Sequence, residues 1–456
     1  KVTQLNPINI DLQDFGKKEV YINFSVDIKV ESATGDETDI VWVINDMAAG
    51  FPEIAKKKVK SGEWTTMKGE YALSLSEKRS LYVSGAGLNF ADLKFYVKNL
   101  NVKFSGEGLG GNFAESVSWM DAPSLKEAYD GLFDYFGLAV TYKGEFQQPA
   151  IQDGVSRHAD SITLGNELKP DFVFNWAKPS NMEDFVAEDG KTYKVPMGMP
   201  NFGSLKEILM TAMVSNLKIR GHVLVWHSQT PAWFFKENYS LKQDAAFVDK
   251  DTMNARMEWY IKSVMDYVAE FENRYNKGNR IITMWDVVNE AVSDNASSSK
   301  WLREDSNWYR VYKSDEFIVN AFRYANKYAP KECILVYNDY NCYSPAKLKG
   351  ICKVIDSIKA APDARIDAIG MQSHVKIDYP NVTGHNSYED AVQTFINKGL
   401  DVQVTELDIA NGKKAYSSIL LKAKYKEYFK MFLNNRKTEG KNGITGVTVW
   451  GLIDKS

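Results

Sequence analysis

The 456 residues are 44% hydrophobic and 25% charged with a net charge of only -3, the make-up of an ordinary globular chain, which excludes a disordered protein and gives no field for nucleic acid or an anionic membrane. No window holds the ~18 consecutive apolar residues of a membrane-spanning helix. Three cysteines, Cys333, Cys342 and Cys352, are too few and too local for a disulfide framework or a zinc site, allowing one bridge at most.

The length predicts two domains. Residues 1–106 carry short alternating runs such as VYINFSVDIKV, DIVWVIND and LKFYVKNLNVKF, broken by Gly, Asn and Asp, and read as an antiparallel β-sandwich. The Gly-rich, polar stretch 107–123 reads as a linker. From 124 to 456 short β-branched runs alternate with amphipathic helical segments, the pattern of repeated βα units. Eight strands are expected: FGLAV, SITL, IRGHVLVW, IITMWDVV, CILVYN, IDAIGM, DVQVT and ITGVTVW. Eight such units close a (β/α)8 barrel, so the expected class is α/β, a TIM barrel preceded by a β-sandwich. An open doubly wound sheet would call for a glycine-rich phosphate loop after an early strand, and none is present. The chain enters the sandwich late and stops at DKS just after the eighth strand, so a truncated sandwich and a missing last helix are expected.

In a parallel barrel the chemistry sits where strands end. Those positions here carry His222, Trp226, His227, Gln229, Asn289, Glu290, Tyr340, Gln372, His374, Glu406, Asp408 and Trp450. Glu290 and Glu406, on non-adjacent strands of one mouth, are the paired carboxylates that glycosidic cleavage requires. One must be protonated and the other ionised. Glu290, in the apolar run MWDVVNEAV, suits the acid, and Glu406 the ionised partner, with His374 bonded to it and Asp408 orienting the ring. Opposite positions across the mouth allow the ~5–5.5 Å gap of a retaining enzyme. A lone strand-end glutamate is usually a surface ion pair, and only the joint pattern outweighs that reading. A metal site is disfavoured because His222 and His227, five apart on a strand, face opposite ways. No GxSxG elbow offers a serine nucleophile.

The segments GHVLVWHSQTP, WDVVNEAV, YNDYN, MQSH, VTELDIA and GVTVWG resemble, in order, the motifs of the family 10 glycoside hydrolases, the endo-β-1,4-xylanases. The resemblance implies Glu290 as acid/base and Glu406 as nucleophile. It places Asn166, Lys169, His222, Trp226, Gln229, Asn289, Gln372, His374 and Trp450 around the glycone sugars and Tyr340 on the aglycone side. It implies xylan and xylo-oligosaccharides as partners, no cofactor or metal, and secretion, since the substrate is a polymer. One departure stands out: the family's Glu-Asn-x-Met-Lys reads Gly165-Asn166-Glu167-Leu168-Lys169 here. The lost carboxylate leaves room for a hydroxymethyl group, so activity on β-glucans is a second expectation, while Gln229 favours xylan. A second departure, the long stretch 178–204, is expected to cap the glycone side. The sandwich is similar to carbohydrate-binding modules of families 4 and 22, with Trp42 and Phe51 expected as sugar-stacking rings and Trp64 as core. The rival readings are a β-glucanase or dual-specificity enzyme on the same site, a non-catalytic polysaccharide-binding protein, and a structural barrel.

Overall fold

The computed structural model describes residues 8–10, 20–32, 37–44, 53–73, 79–84, 93–105, 122–174, 178–412 and 418–452. The chain divides into two compact units, Lys1–Ala122 and Pro123–Leu452. The first contains β1 (Ile8–Ile10), β2 (Val20–Ser32), β3 (Glu37–Ile44), β4 (Glu53–Lys60), β5 (Trp64–Leu73), β6 (Arg79–Ser84) and β7 (Leu93–Ser105). They form two antiparallel sheets, ordered β1-β6-β3-β4 and β5-β2-β7.

Alternation decides which side chains of β2 and β5 enter the core of this unit. On β2, Phe24, Val26, Ile28 and Val30 are buried, and Met67 joins them from β5. Two expectations are corrected. Trp42 is 2% exposed and packs on Phe24 with ring centroids 4.8 Å apart, so it is core and not a free ring. It shares its strand face with Thr38 and Ile40, both buried. Trp64 was expected in the core but is 43% exposed, because it lies out of phase with Met67. Phe51 lies outside the described residues.

The second unit is a closed barrel. Strands β8 (Tyr135–Val140), β9 (Ser161–Leu164), β12 (Lys218–Trp226), β13 (Ile282–Asn289), β14 (Ile334–Asp339), β15 (Ala368–Met371), β17 (Asp401–Ala410) and β18 (Ile444–Val449) run parallel. The pairing of β15 with β17 and of β18 with β8 closes the ring. These are the eight strands read from sequence, legible because strands covered on both faces are continuous apolar runs. Between them lie α1 (Pro149–His158), α2 (Gly203–Val214), α3 (Lys250–Tyr275), α4 (Glu316–Tyr328), α5 (Pro345–Ala360), α6 (Tyr388–Asn397) and α7 (Ser418–Asn434). Cys333, Cys342 and Cys352 are all free.

The barrel interior holds a buried ion pair. Arg220 on β12 donates from Nε to Asp286 Oδ2 on β13 at 3.0 Å, and its other nitrogens reach Asp286 Oδ1 and Gln403. Burial disfavours the charges, and the two neutralise one another. The stretch 178–204 follows β9 and runs into the start of α2. It folds into a hairpin of β10 (Met182–Val186) and β11 (Thr192–Pro196). The turn packs on the outer helices: Glu188 N donates to Glu258 on α3 at 2.7 Å, and the Glu188 carboxylate pairs with Arg323 and Lys327 on α4. Polar side chains of this turn find partners on those helices.

Candidate active site

Glu290 follows the last residue of β13 at φ +56°, a left-handed conformation that a non-glycine residue holds only when its surroundings impose it. Two bonds do so. Its N–H donates to the Asn338 carbonyl at 3.0 Å, and its own carbonyl accepts from Arg303 Nε at 3.1 Å. The carboxylate accepts from Gln372 Nε2 at 2.8 Å and from Trp226 Nε1 at 3.0 Å. His227 Nδ1 lies 3.9 Å from the same carboxylate. That nitrogen is buried without a hydrogen-bond partner among the described residues, and burial together with Arg303 lowers the imidazole pKa.

Glu406 lies within β17 and is 5% exposed. Its Oε1 accepts from Asn338 Nδ2 at 2.9 Å, and Oε2 lies 3.1 Å from His374 Nε2. A short strand, β16 (His374–Lys376), pairs with β17 so that His374 stands opposite Asp408. His374 Nδ1 is 2.8 Å from Asp408 Oδ2. Burial works against the ring's positive charge, but the hydrogen bonds and charges of Asp408 and Glu406 outweigh it and push the pKa up to about 10. His374 is therefore an imidazolium at neutral pH, held between two carboxylates.

Buried amides join the two acids. Asn289 lies 3.1 Å from the side-chain amides of both Gln372 and Asn338, so a continuous amide chain runs from Glu290 to Glu406 across β13, β14 and the end of β15. Gly370 makes the space: a Cβ there would meet Asn338 Oδ1 at 2.3 Å.

The expected glycone residues form two groups. Lys169 Nζ donates to Gln229 Oε1 at 2.9 Å and sits 4.9 Å from the Trp226 ring centre, while Gln229 Nε2 lies 3.3 Å from Asn166 Oδ1. Burial lowers the Lys169 pKa, and Glu406 and Glu290 act against that fall, which places the ammonium in the field of both acids. In the second group His222 Nδ1 lies 2.9 Å from Asp286, and Trp450 stands edge-on to His222 and His374 with centroids 5.9 and 6.3 Å away. Tyr340 stands apart, its hydroxyl donating to Asp294 at 2.6 Å and accepting from Arg303 at 2.9 Å, with Lys347 3.3 Å from its ring centre. Arg303 thus ties Tyr340 to the Glu290 backbone.

Sequence reasoning did not assign Asn338, Arg220, Arg303 or His227 to the site. Asn338 and His227 stood in strand-end motifs already singled out, and that position was their signal. Arg303 comes from a loop with no motif of its own. Chemically, the mouth offers one carboxyl bonded to neutral donors and a second facing a cation, with a cluster of amide, ammonium and indole groups beside them.

The profile of Glycosyl hydrolase family 10 matches residues 124–456. An endo-1,4-beta-xylanase Y of Acetivibrio thermocellus is 31% identical over 96% of this chain and 40% of its own length. A bifunctional endo-1,4-beta-xylanase of Ruminococcus flavefaciens is 36% identical over 66% of this chain and 28% of its own. The chain therefore spans less than half the length of either relative. Among solved structures, the CBM22-1 and family 10 modules of a Clostridium thermocellum endo-1,4-beta-D-xylanase, complexed with xylohexaose, align with TM-score 0.59 at 29% identity, covering 94% of this chain and 79% of that one. An endo-1,4-beta-xylanase of Caldicellulosiruptor owensensis aligns with TM-score 0.55 at 31% identity, over 72% of this chain and 88% of that one.

Proposed function

The chain belongs to glycosyl hydrolase family 10, its first unit being similar to a CBM22 module, and from that premise we propose that it is a retaining endo-β-1,4-xylanase with Glu406 as nucleophile and Glu290 as acid/base. The observation that carries the assignment of roles is the asymmetry of the two carboxylates. Glu406 faces the His374 imidazolium at 3.1 Å, which suits a group that attacks as an anion. Glu290 faces the neutral donors Gln372 and Trp226, which suits a group that alternates between acid and carboxylate.

In the first step Glu406 attacks the anomeric carbon, and the C–O bond to the leaving sugar breaks as Glu290 protonates its oxygen. Bond formation neutralises Glu406, while Glu290 becomes the anion that Trp226 and Gln372 hold. Water then gives its proton to Glu290 and attacks the same carbon, releasing Glu406 with the sugar's configuration retained. Lys169, Asn166 and Gln229 supply hydrogen bonds to hydroxyls of the distal sugar, and binding there supports distortion at the reacting ring. Tyr340 flanks the leaving-group side.

Two further parts of the reading rest on chemistry. The polymeric substrate supports a secreted enzyme. Gly165 motivates a test for a lesser activity on β-glucans: among the described residues a Cβ there would meet Val140 O at 3.7 Å and Thr141 Oγ1 at 3.9 Å, both ordinary contacts. The test of the main reading is the anomer released first. Proton NMR during xylohexaose hydrolysis should show β-anomeric reducing ends before mutarotation, and α-anomer first would refute retention.

A further inference from the structure

Lys347, Asp339 and Asp294 form a charged cluster that the proposed reaction does not use. Lys347 lies in the first turn of α5, the end of a helix least favourable to a cation, and its side chain is 1% exposed. A lysine stays in such a place only with partners. It has two carboxylates: Nζ lies 2.9 Å from Asp339 Oδ1, at the end of β14, and 2.9 Å from Asp294 Oδ1, in the loop that follows β13. Burial pushes the Asp339 carboxyl up to about 6, and Lys347 and Tyr337 act against that rise.

Both carboxylates continue to the site. Asp339 Oδ2 accepts from the Tyr337 hydroxyl at 2.7 Å, and the same hydroxyl oxygen accepts from the N–H groups of Ala291 and Val292 at 3.1 and 3.2 Å. On the other side, Asp294 Oδ2 accepts from the Tyr340 hydroxyl, Tyr340 accepts from Arg303, and Arg303 donates to the Glu290 carbonyl. The bonds therefore close a ring on one peptide unit, Glu290–Ala291. Its C=O is held by Arg303 and its N–H by Tyr337.

A buried ion pair could serve only to fasten α5 to the barrel. One carboxylate on one strand would be enough for that. Lys347 instead holds two from different segments, and both paths end on the peptide next to the left-handed Glu290. That peptide and the Tyr340 ring are thereby fixed relative to one another. An acid that must come within hydrogen-bond reach of a glycosidic oxygen, while the departing sugar lies by Tyr340, requires such a relation.

We propose that Lys347, with Asp339 and Asp294, is a positioning hub that aims the Glu290 carboxyl at the oxygen of the leaving sugar. It acts through the Glu290–Ala291 peptide and the Tyr340 ring, and it rests on the reading of Glu290 as acid/base.

The test compares two donors in the full chain. The sugar that departs from xylohexaose takes a proton from Glu290, whereas the phenolate of a dinitrophenyl xylobioside leaves without one and puts no sugar beside Tyr340. In Lys347→Met the ratio of kcat/KM on xylohexaose to that on the aryl donor should fall about 10- to 100-fold, the range for a displaced general acid. Asp294→Asn keeps the test open where Lys347→Met does not fold, since Asp294 is 46% exposed. An amide offers one acceptor where two donors converge, so its ratio should fall about threefold or more. An unchanged ratio, whether activity is kept or lost equally on both donors, overturns the proposal and is what a purely structural pair gives. Glu290→Ala is the control for the acid assignment. A fall in its ratio beside unchanged ratios in the other two refutes the hub alone; no fall in Glu290→Ala refutes the acid assignment and the hub with it.

Discussion

Replacing His374 by alanine removes the cation that faces the proposed nucleophile and leaves Glu406 and Asp408 without the ring that separates them. The bond lost is charge-assisted, with Nε2 3.1 Å from Glu406, and such bonds contribute about 1.5–3 kcal/mol. The His374 side chain is 36% exposed, so solvent screening draws the value toward the lower end. An effect of ~1.5–2 kcal/mol corresponds to a fall of roughly 10- to 30-fold in kcat/KM. The sign with pH also follows. The folded pKa of about 10 lies above the ordinary imidazole value, so the cation persists at all lower pH and is lost as pH rises through 10. The stabilisation it gives the fold is complete below about pH 6.5 and fades toward the same upper limit. In the parent, the contribution of the His374 cation to kcat/KM should fade as pH rises toward that value. In His374→Ala that pH-dependent contribution should vanish. The assay is initial rate on an aryl xylobioside from pH 4 to 11. A variant with unchanged kcat/KM and an unchanged profile would refute the role given to the His374–Asp408 pair.

Arg220→Met should destabilise the barrel by about 3–5 kcal/mol, because it leaves Asp286 buried without its main counter-charge; urea unfolding of parent and variant reads the difference. Gly165→Glu should fold normally, since a Cβ there meets nothing closer than 3.7 Å, and should raise the ratio of xylan to carboxymethyl-cellulose rates several-fold. An unchanged ratio removes the case for β-glucan as a second substrate.

The barrel was legible because its strands are buried on both faces, and such strands stand out as apolar runs such as YFGLAV and ITGVTV. The strand-end residues were legible for a related reason, since polar groups at the end of an apolar run need a local purpose. The sandwich was harder to read. In β5 the phase set by Met67 and Lys68 places Trp64 outside, a signal present in WTTMKG but outweighed by the general tendency of tryptophan to be buried. In β3, Val41, Trp42 and Val43 are all buried, so alternation there carries no information about which ring is free. The support around Glu290 could not be read at all. Arg303 comes from a loop and Asn338 from the next strand, and their convergence on one left-handed residue exists only after the barrel closes.

The central claim is that Glu406 forms the covalent bond to sugar. Incubation with a 2-fluoro xylobioside carrying a good leaving group, followed by proteolysis and peptide mass spectrometry, tests it directly. The account predicts one adduct, on the peptide containing Glu406, and none after Glu406→Ala. An adduct on the Glu290 peptide, or inactivation with no adduct on either, would contradict it.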